Sequence, residues 1–169
     1  MSPGDADKPA NRLAKTIQKI RKVAGPFDQQ AVTLALGRTV KFVGTARLKV
    51  EELTSKRAVV SVQNKKRVQN HIGGVHAMAM GLIAESATGF VVGMNVPDSA
   101  IPVIKSVKIE YLKRAKGGMR AEATLTDAQR AAIASEPKGE VLVQCRVTDE
   151  SGIEPIRVEM IWAWVPKKR

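Results

Sequence analysis

Glu85 is the only acid in the segment Val75 to Gly89, Val-His-Ala-Met-Ala-Met-Gly-Leu-Ile-Ala-Glu-Ser-Ala-Thr-Gly. The segment is apolar nearly all round and reads as a buried helix. An unpaired ionised carboxylate late in such a helix costs several kcal/mol to bury, and the negative helix end opposes it further. Two explanations are open for it. One is an ion pair with an Arg or Lys on a neighbouring strand. The other is a carboxylate whose pKa is raised, available as nucleophile or general base.

At the other end of the same helix lies Asn70-His71-Ile72-Gly73-Gly74-Val75-His76-Ala77. Its two glycines let the backbone turn sharply and expose N–H groups just before a helix N-terminus, a geometry suited to an anion or an oxyanion. A capping or packing role for His76 is the ordinary alternative. His76 and Glu85 are separated by about 13.5 Å along a helix and by roughly half a turn around it. One chain therefore does not bring them together, and a site using both ends needs a second copy of the chain.

The elements that must position these residues follow from periodicity. Leu13, Ile17, Ile20 and Ala24 recur at helical spacing opposite Arg12, Lys15, Lys19 and Lys22, and Gly25-Pro26 stops the helix. A short second helix is expected from Asp28 to about Gly37, after a loose tail over residues 1–9. From Thr45 the period changes to two. Ala46, Leu48 and Val50 alternate with Arg47, Lys49 and Glu51, and the segments around Val60, Ile109, Ala123, Val143 and Met160 repeat the alternation. That pattern describes an antiparallel sheet with one wet face and one covered face. The economical architecture is α+β, a curved sheet wrapped around the one apolar helix. A further helix is expected from Asp127 to about Ser135, capped by Thr126 or Asp127.

Composition narrows the chemistry. The chain has 169 residues, enough for one domain with its own core. Cys145 is the single cysteine and there are two His, so disulfide scaffolds and ordinary zinc sites are excluded. The basic N-terminal stretch lacks the apolar core of a secretory signal, which gives a cytoplasmic expectation. The longest segment without Asp, Glu, Lys or Arg, Val68 to Ala84, falls short of the roughly 20 residues that span a bilayer. A net charge of +12 points to an anionic partner: nucleic acid, a phosphorylated cofactor or an acidic membrane.

Asn70, Gly73, His76 and Glu85, followed by a strand ending Tyr111-Leu112-Lys113-Arg114-Ala115-Lys116-Gly117-Gly118, resemble the hotdog-fold acyl-CoA thioesterases of the phenylacetyl-CoA type. The resemblance covers about residues 38–166, behind N-terminal helices over residues 10–37. It is nearest to a branch in which Asn-His-x-Gly-x-x-His-Ala replaces the more usual His-Gly-Gly. It implies one long helix wrapped by an antiparallel sheet, and a homodimer or homotetramer joined through the sheet. It further implies that Glu85 attacks the thioester or activates water, and that the Ala77 N–H polarises the thioester carbonyl. By the same resemblance Asn70 orients the reacting groups and His76 opens the helix. Ala77 stands where the family has Gly, and Ile104 stands where some members have Ser or Thr, with Ser106 the nearest hydroxyl expected on that face. Lys113, Arg114, Lys116 and Gly118 lie where family members hold the nucleotide of coenzyme A. Coenzyme A is then part of the substrate, and no separate cofactor or metal is expected.

Acyl-CoA hydrolysis is accordingly the leading expectation. A non-catalytic acyl-CoA or acyl-carrier binding protein on the same fold is the alternative. Nucleic-acid binding is weakened by the presence of only six aromatic residues, with both Trp on an apolar strand face.

Overall fold

The computed structural model describes residues 11–167, so the tail expected over residues 1–9 lies outside the described residues. Helix α1 (Arg12–Ala24) starts at Asn11, whose Oδ1 accepts from the Ala14 N–H at 2.9 Å. The Nδ2 of the same buried Asn11 donates to the carbonyls of Gly93 and Val96. One side chain therefore caps α1 and fastens it to the far end of the central helix.

Helix α2 (Asp28–Thr39) runs slightly past the expected stop, and α3 (Lys41–Ala46) follows directly. The strand expected from Thr45 begins instead at Lys49. Val43 and Ala46 are three residues apart and both buried, a spacing that serves a helical turn as well as the alternation read into this stretch. Arg47, in the left-handed region at φ 54°, ends that turn. Its N–H donates to the Gly44 carbonyl and the Leu48 N–H to that of Val43, closing the helix before the strand can start at Lys49.

The strands are β1 (Lys49–Leu53), β2 (Arg57–Val62), β3 (Ala100–Tyr111), β4 (Met119–Thr124), β5 (Gly139–Asp149) and β6 (Ile156–Pro166). They form one antiparallel sheet in the order β1-β2-β4-β5-β6-β3. Helix α5 (Asp127–Ser135) occupies the β4–β5 connection, with Thr126 and Gln129 forming a reciprocal cap.

Helix α4 (Ala77–Gly93) is the axis of the molecule and packs against β2, β3, β4, β5 and β6. It continues four residues beyond the expected Gly89, because Phe90, Val91 and Val92 are also buried. Trp162 on β6 locks sheet to helix. Its Nε1–H donates to Thr88 Oγ1 at 2.9 Å, and Thr88 in turn donates to the Ala84 carbonyl at 2.8 Å. The indole lies so close to the helix that a Cβ on Gly89 would stand 2.6 Å from its ring.

The two sheet edges are treated differently. Along β1, Thr33 of α2 exchanges hydrogen bonds with the backbone of Val50, and Arg21 of α1 donates to the Leu53 carbonyl at 2.6 Å. The N-terminal helices thus cover that edge. On β3, the other edge, Ile101, Val103, Ile104 and Val107 are exposed. A long edge strand with exposed apolar side chains is a template for pairing with another chain.

The Gly89–Trp162 contact gives a direct test of the fold. Gly89→Ala should lower the unfolding free energy by about 1–3 kcal/mol through overpacking, read as a lower urea midpoint with an unchanged slope.

Candidate active site

The chain between β2 and α4 is a tightly braced loop. Gln69 pairs with Val75 as an isolated antiparallel bridge, flanked by Asn70 N–H to Gly74 O at 2.8 Å and His76 N–H to Val68 O at 2.7 Å. Gly73, at φ +77°, makes the reversal that an L side chain rarely tolerates. Asn70 Oδ1 accepts from the N–H groups of Ile72 and Gly74, both at 3.1 Å. Asn70 therefore holds the loop's shape from inside.

His76 ends the loop and caps α4, its Nδ1 accepting from the Met78 N–H at 3.1 Å. In the neutral ring the proton is consequently on Nε2. The next amide, Ala77 N–H, has no hydrogen-bond acceptor among the described residues. It stands at the positive end of a 17-residue helix, where a developing negative charge is stabilised.

The end of β3 and the turn after it reach the same place. Tyr111 Oη donates to the Ala77 carbonyl at 3.1 Å, and Arg114 Nη2 donates to the Ile72 carbonyl at 3.3 Å. Burial pushes the Tyr111 phenol pKa upward, so it stays a donor. From the connection just after β2, Asn64 Nδ2 donates to the Gly73 carbonyl at 3.0 Å, while its Oδ1 is buried with no partner among the described residues. Tyr111 and Asn64 were not among the residues expected from sequence to act here. Tyr111 shares the helix-facing side of β3 with Ile109, which alternation could have shown, whereas nothing in the spacing of Asn64 points to the loop.

Glu85 lies along α4 from this cluster and is not in contact with it. It is half-buried, and no Lys or Arg pairs with it among the described residues. The ion pair considered from the sequence is therefore absent among the described residues. Burial raises the Glu85 pKa, opposed by the Ser86 hydroxyl at 3.5 Å. Glu122 on the outer sheet face shows the contrast. A hydrogen bond from Arg57 at 2.9 Å, with Arg120 behind it at 3.1 Å, holds its carboxyl below the usual range despite some burial. Met78, Leu82 and Glu85, at i, i+4 and i+7, form one stripe of α4 that the protomer leaves incompletely covered.

The remaining expected residues are dispersed. A β-bulge between Ile104 and Ser106 shifts the register with β6: Ile104 pairs with Trp162, but Ser106 pairs with Ile161. Trp162 faces α4, so Ser106 is turned to the opposite face, and the shared face expected from plain alternation is lost. Lys113 and Lys116 are exposed on the turn after β3. Gly118 is buried, with its N–H committed to Glu150 Oε1 at 2.9 Å. It forms part of a different concavity, about 570 Å³, on the outer sheet face. Among the described residues no group of His, Cys, Asp and Glu is arranged to hold a metal ion.

The family described as Domain of unknown function (DUF4442) matches residues 28–165. No curated protein is significantly similar in sequence. Solved structures share the architecture at low identity. A Pseudomonas aeruginosa protein of unknown function, named as a probable thioesterase, is 21% identical with a TM-score of 0.66, over 78% of this chain and 91% of that one. A thioesterase from Haemophilus influenzae is 11% identical with a TM-score of 0.64, over 79% and 90% of the two chains. A thioesterase family protein from Silicibacter pomeroyi is 12% identical with a TM-score of 0.63, over 80% and 96%. The fold is thus the hotdog fold, as the sequence led us to expect.

Because burial raises the Glu85 pKa in the folded protein, its protonated form contributes stability that is full below the unfolded value near 4.5 and lost as pH rises through the folded value. Glu85→Gln removes this dependence. The variant should unfold at a higher temperature than wild type at pH 7, and the difference should shrink toward zero near pH 4, as measured by thermal melts across that range.

Proposed function

The chain belongs to the DUF4442 family, and from that membership and its hotdog fold we propose that it is an acyl-CoA thioesterase, releasing a free acid and coenzyme A. The observation that carries this reading is Glu85, a half-buried carboxylate without a cation, on the uncovered stripe of a helix whose N-terminus offers the free Ala77 N–H.

A second copy of the chain completes the site. α4 runs antiparallel to β3 within the protomer: its start meets Tyr111, and Gly81, Gly89 and their neighbours lie over Ile109 and Trp162 in turn. Pairing two copies antiparallel along their β3 edges brings the partner's α4 N-terminus toward the later part of this copy's α4, where Glu85 lies. The carboxylate of one copy would then face the Ala77 N–H of the other.

In this arrangement the thioester carbonyl oxygen accepts from the Ala77 N–H, which strengthens its hold as negative charge develops. Glu85 takes a proton from water, and the water oxygen attacks the carbonyl carbon. Collapse of the tetrahedral oxyanion breaks the C–S bond, and the leaving thiolate takes back the proton held by Glu85, giving coenzyme A and restoring the carboxylate. Asn70, Tyr111 and the His76 cap keep the loop and its amide in position. Lys113, Arg114 and Lys116, on the turn that leans on the loop, supply charge for the phosphates of coenzyme A, and the protein acts in the cytoplasm.

Glu85→Gln should lower kcat by about 10²–10⁴-fold while leaving the Kd for an acyl-CoA within a few-fold of wild type. Unchanged hydrolysis in that variant would overturn the reading. Tight acyl-CoA binding by a wild type that turns over none would favour a non-catalytic binding protein. Val107→Asp, placed on the exposed part of β3, should convert the dimer to a monomer by sedimentation and abolish hydrolysis with it.

A further inference from the structure

The N-terminal helical layer carries a surface that the hydrolytic site does not use. Residues 11–50 contain nine Lys and Arg against the single Asp28, a net +8 of the chain's +12. The same stretch exposes large apolar side chains: Val23 at 88%, Phe27 at 68%, Phe42 at 61% and Leu34 at 54% of their full area. Two of the chain's three Phe are thus in water here, although six buried residues of α1, α2 and α3 show that the layer packs well where it meets the domain.

The arrangement is ordered along the helices. Lys15, Lys19 and Lys22 form one outer stripe of α1, with Val23 one turn beyond Lys19 and Phe27 exposed at the turn between the helices. On α2, Leu34 stands opposite the buried Val32 and Leu36, with Arg38 one turn further and Lys41 and Phe42 at the next bend. Apolar side chains are interleaved with cations throughout.

We propose that this layer docks the protein on an anionic lipid bilayer, with Phe27, Leu34 and Phe42 entering the interface and the lysines of α1 meeting the acidic headgroups. Interleaved aromatic and aliphatic side chains with Lys and Arg are what an interfacial surface requires, since apolar burial and headgroup attraction act together. A second copy of this chain is a poor occupant, because two faces each carrying Lys15, Lys19, Lys22, Arg38 and Lys41 repel. None of the described helices is long and apolar enough to cross a membrane, so the docking is peripheral. It lies at the β1 side of the sheet, away from the β3 edge, and is independent of the hydrolytic reading.

The test uses the full-length protein with two kinds of vesicle, pure phosphatidylcholine and phosphatidylcholine containing phosphatidylglycerol. The protein should cosediment with the anionic vesicles alone, less so as salt is raised. The double variant Phe27→Ser, Phe42→Ser should partition at least tenfold more weakly with an unchanged melting temperature, and so should the triple variant Lys15→Glu, Lys19→Glu, Lys22→Glu. No binding to anionic vesicles overturns the proposal. Vesicle binding that survives loss of both Phe also overturns it, as simple charge attraction. Retention on immobilised polyglutamate with no vesicle binding assigns the face to an acidic protein and overturns it as well.

Discussion

A single helix that is apolar on every side sets the terms for the rest of this molecule. α4 has Ile83, Ala84, Ala87, Val91 and Val92 at essentially zero exposure, and these point in more directions than one sheet can cover. β2, β4, β5 and β6 take most of its circumference, α1 is tied to its far end through Asn11, and Thr88 meets the Trp162 indole inside the seam. What is left uncovered is one stripe, Met78, Leu82 and Glu85, and it lies beside the uncovered edge of β3. The unfinished side of the helix and the unfinished edge of the sheet are therefore the same feature. Each calls for the same remedy, more apolar surface and another strand, and under the pairing proposed above a second copy would provide both.

The asymmetry of the edges makes that remedy specific. If both edge strands were bare, chains could pair in either sense and extend without closing. Thr33 and Arg21 occupy the backbone groups of β1, so only β3 can recruit another strand. Pairing of like edges about a two-fold axis closes after two copies. The N-terminal helices thus limit assembly at one edge while their outer face keeps the chain's largest concentration of positive charge.

The periodicity of two located all six strands, β1 with too early a start, and the apolar run located α4, because both patterns come from burial on one side or on all sides. The exceptions are local. Around Ala46 the spacing of apolar residues suited either period, and the backbone bonds made by Arg47 and Leu48 decided for a helical turn. At Ser106 alternation failed since a bulge adds a residue to β3 without any change in composition. In the candidate site, Asn70, His76 and Glu85 were legible because a loop Asn, a capping His and a lone acid are each unusual beside an apolar helix. Asn64 was not, because its contact with Gly73 depends on how β2 and the loop cross. Tertiary crossings of this kind leave no period to read.

Glu85 is informative because the chain could so easily have neutralised it. Twenty-eight Lys and Arg surround sixteen acids, and on the outer sheet face Glu51, Glu52 and Glu122 are all taken up by Arg57 and Arg120. A carboxylate whose purpose was structural would be expected to share in that supply, since leaving it unpaired and half-buried sacrifices stability at neutral pH. A base or nucleophile has the opposite need. A cation at its side would lower its pKa and weaken its attraction for a proton, whereas desolvation raises both. The sole acid of α4 has no cation beside it among the described residues, and it lies on the stripe where the proposed second copy would bring an unused helix amide; that combination is what the hydrolytic proposal rests on.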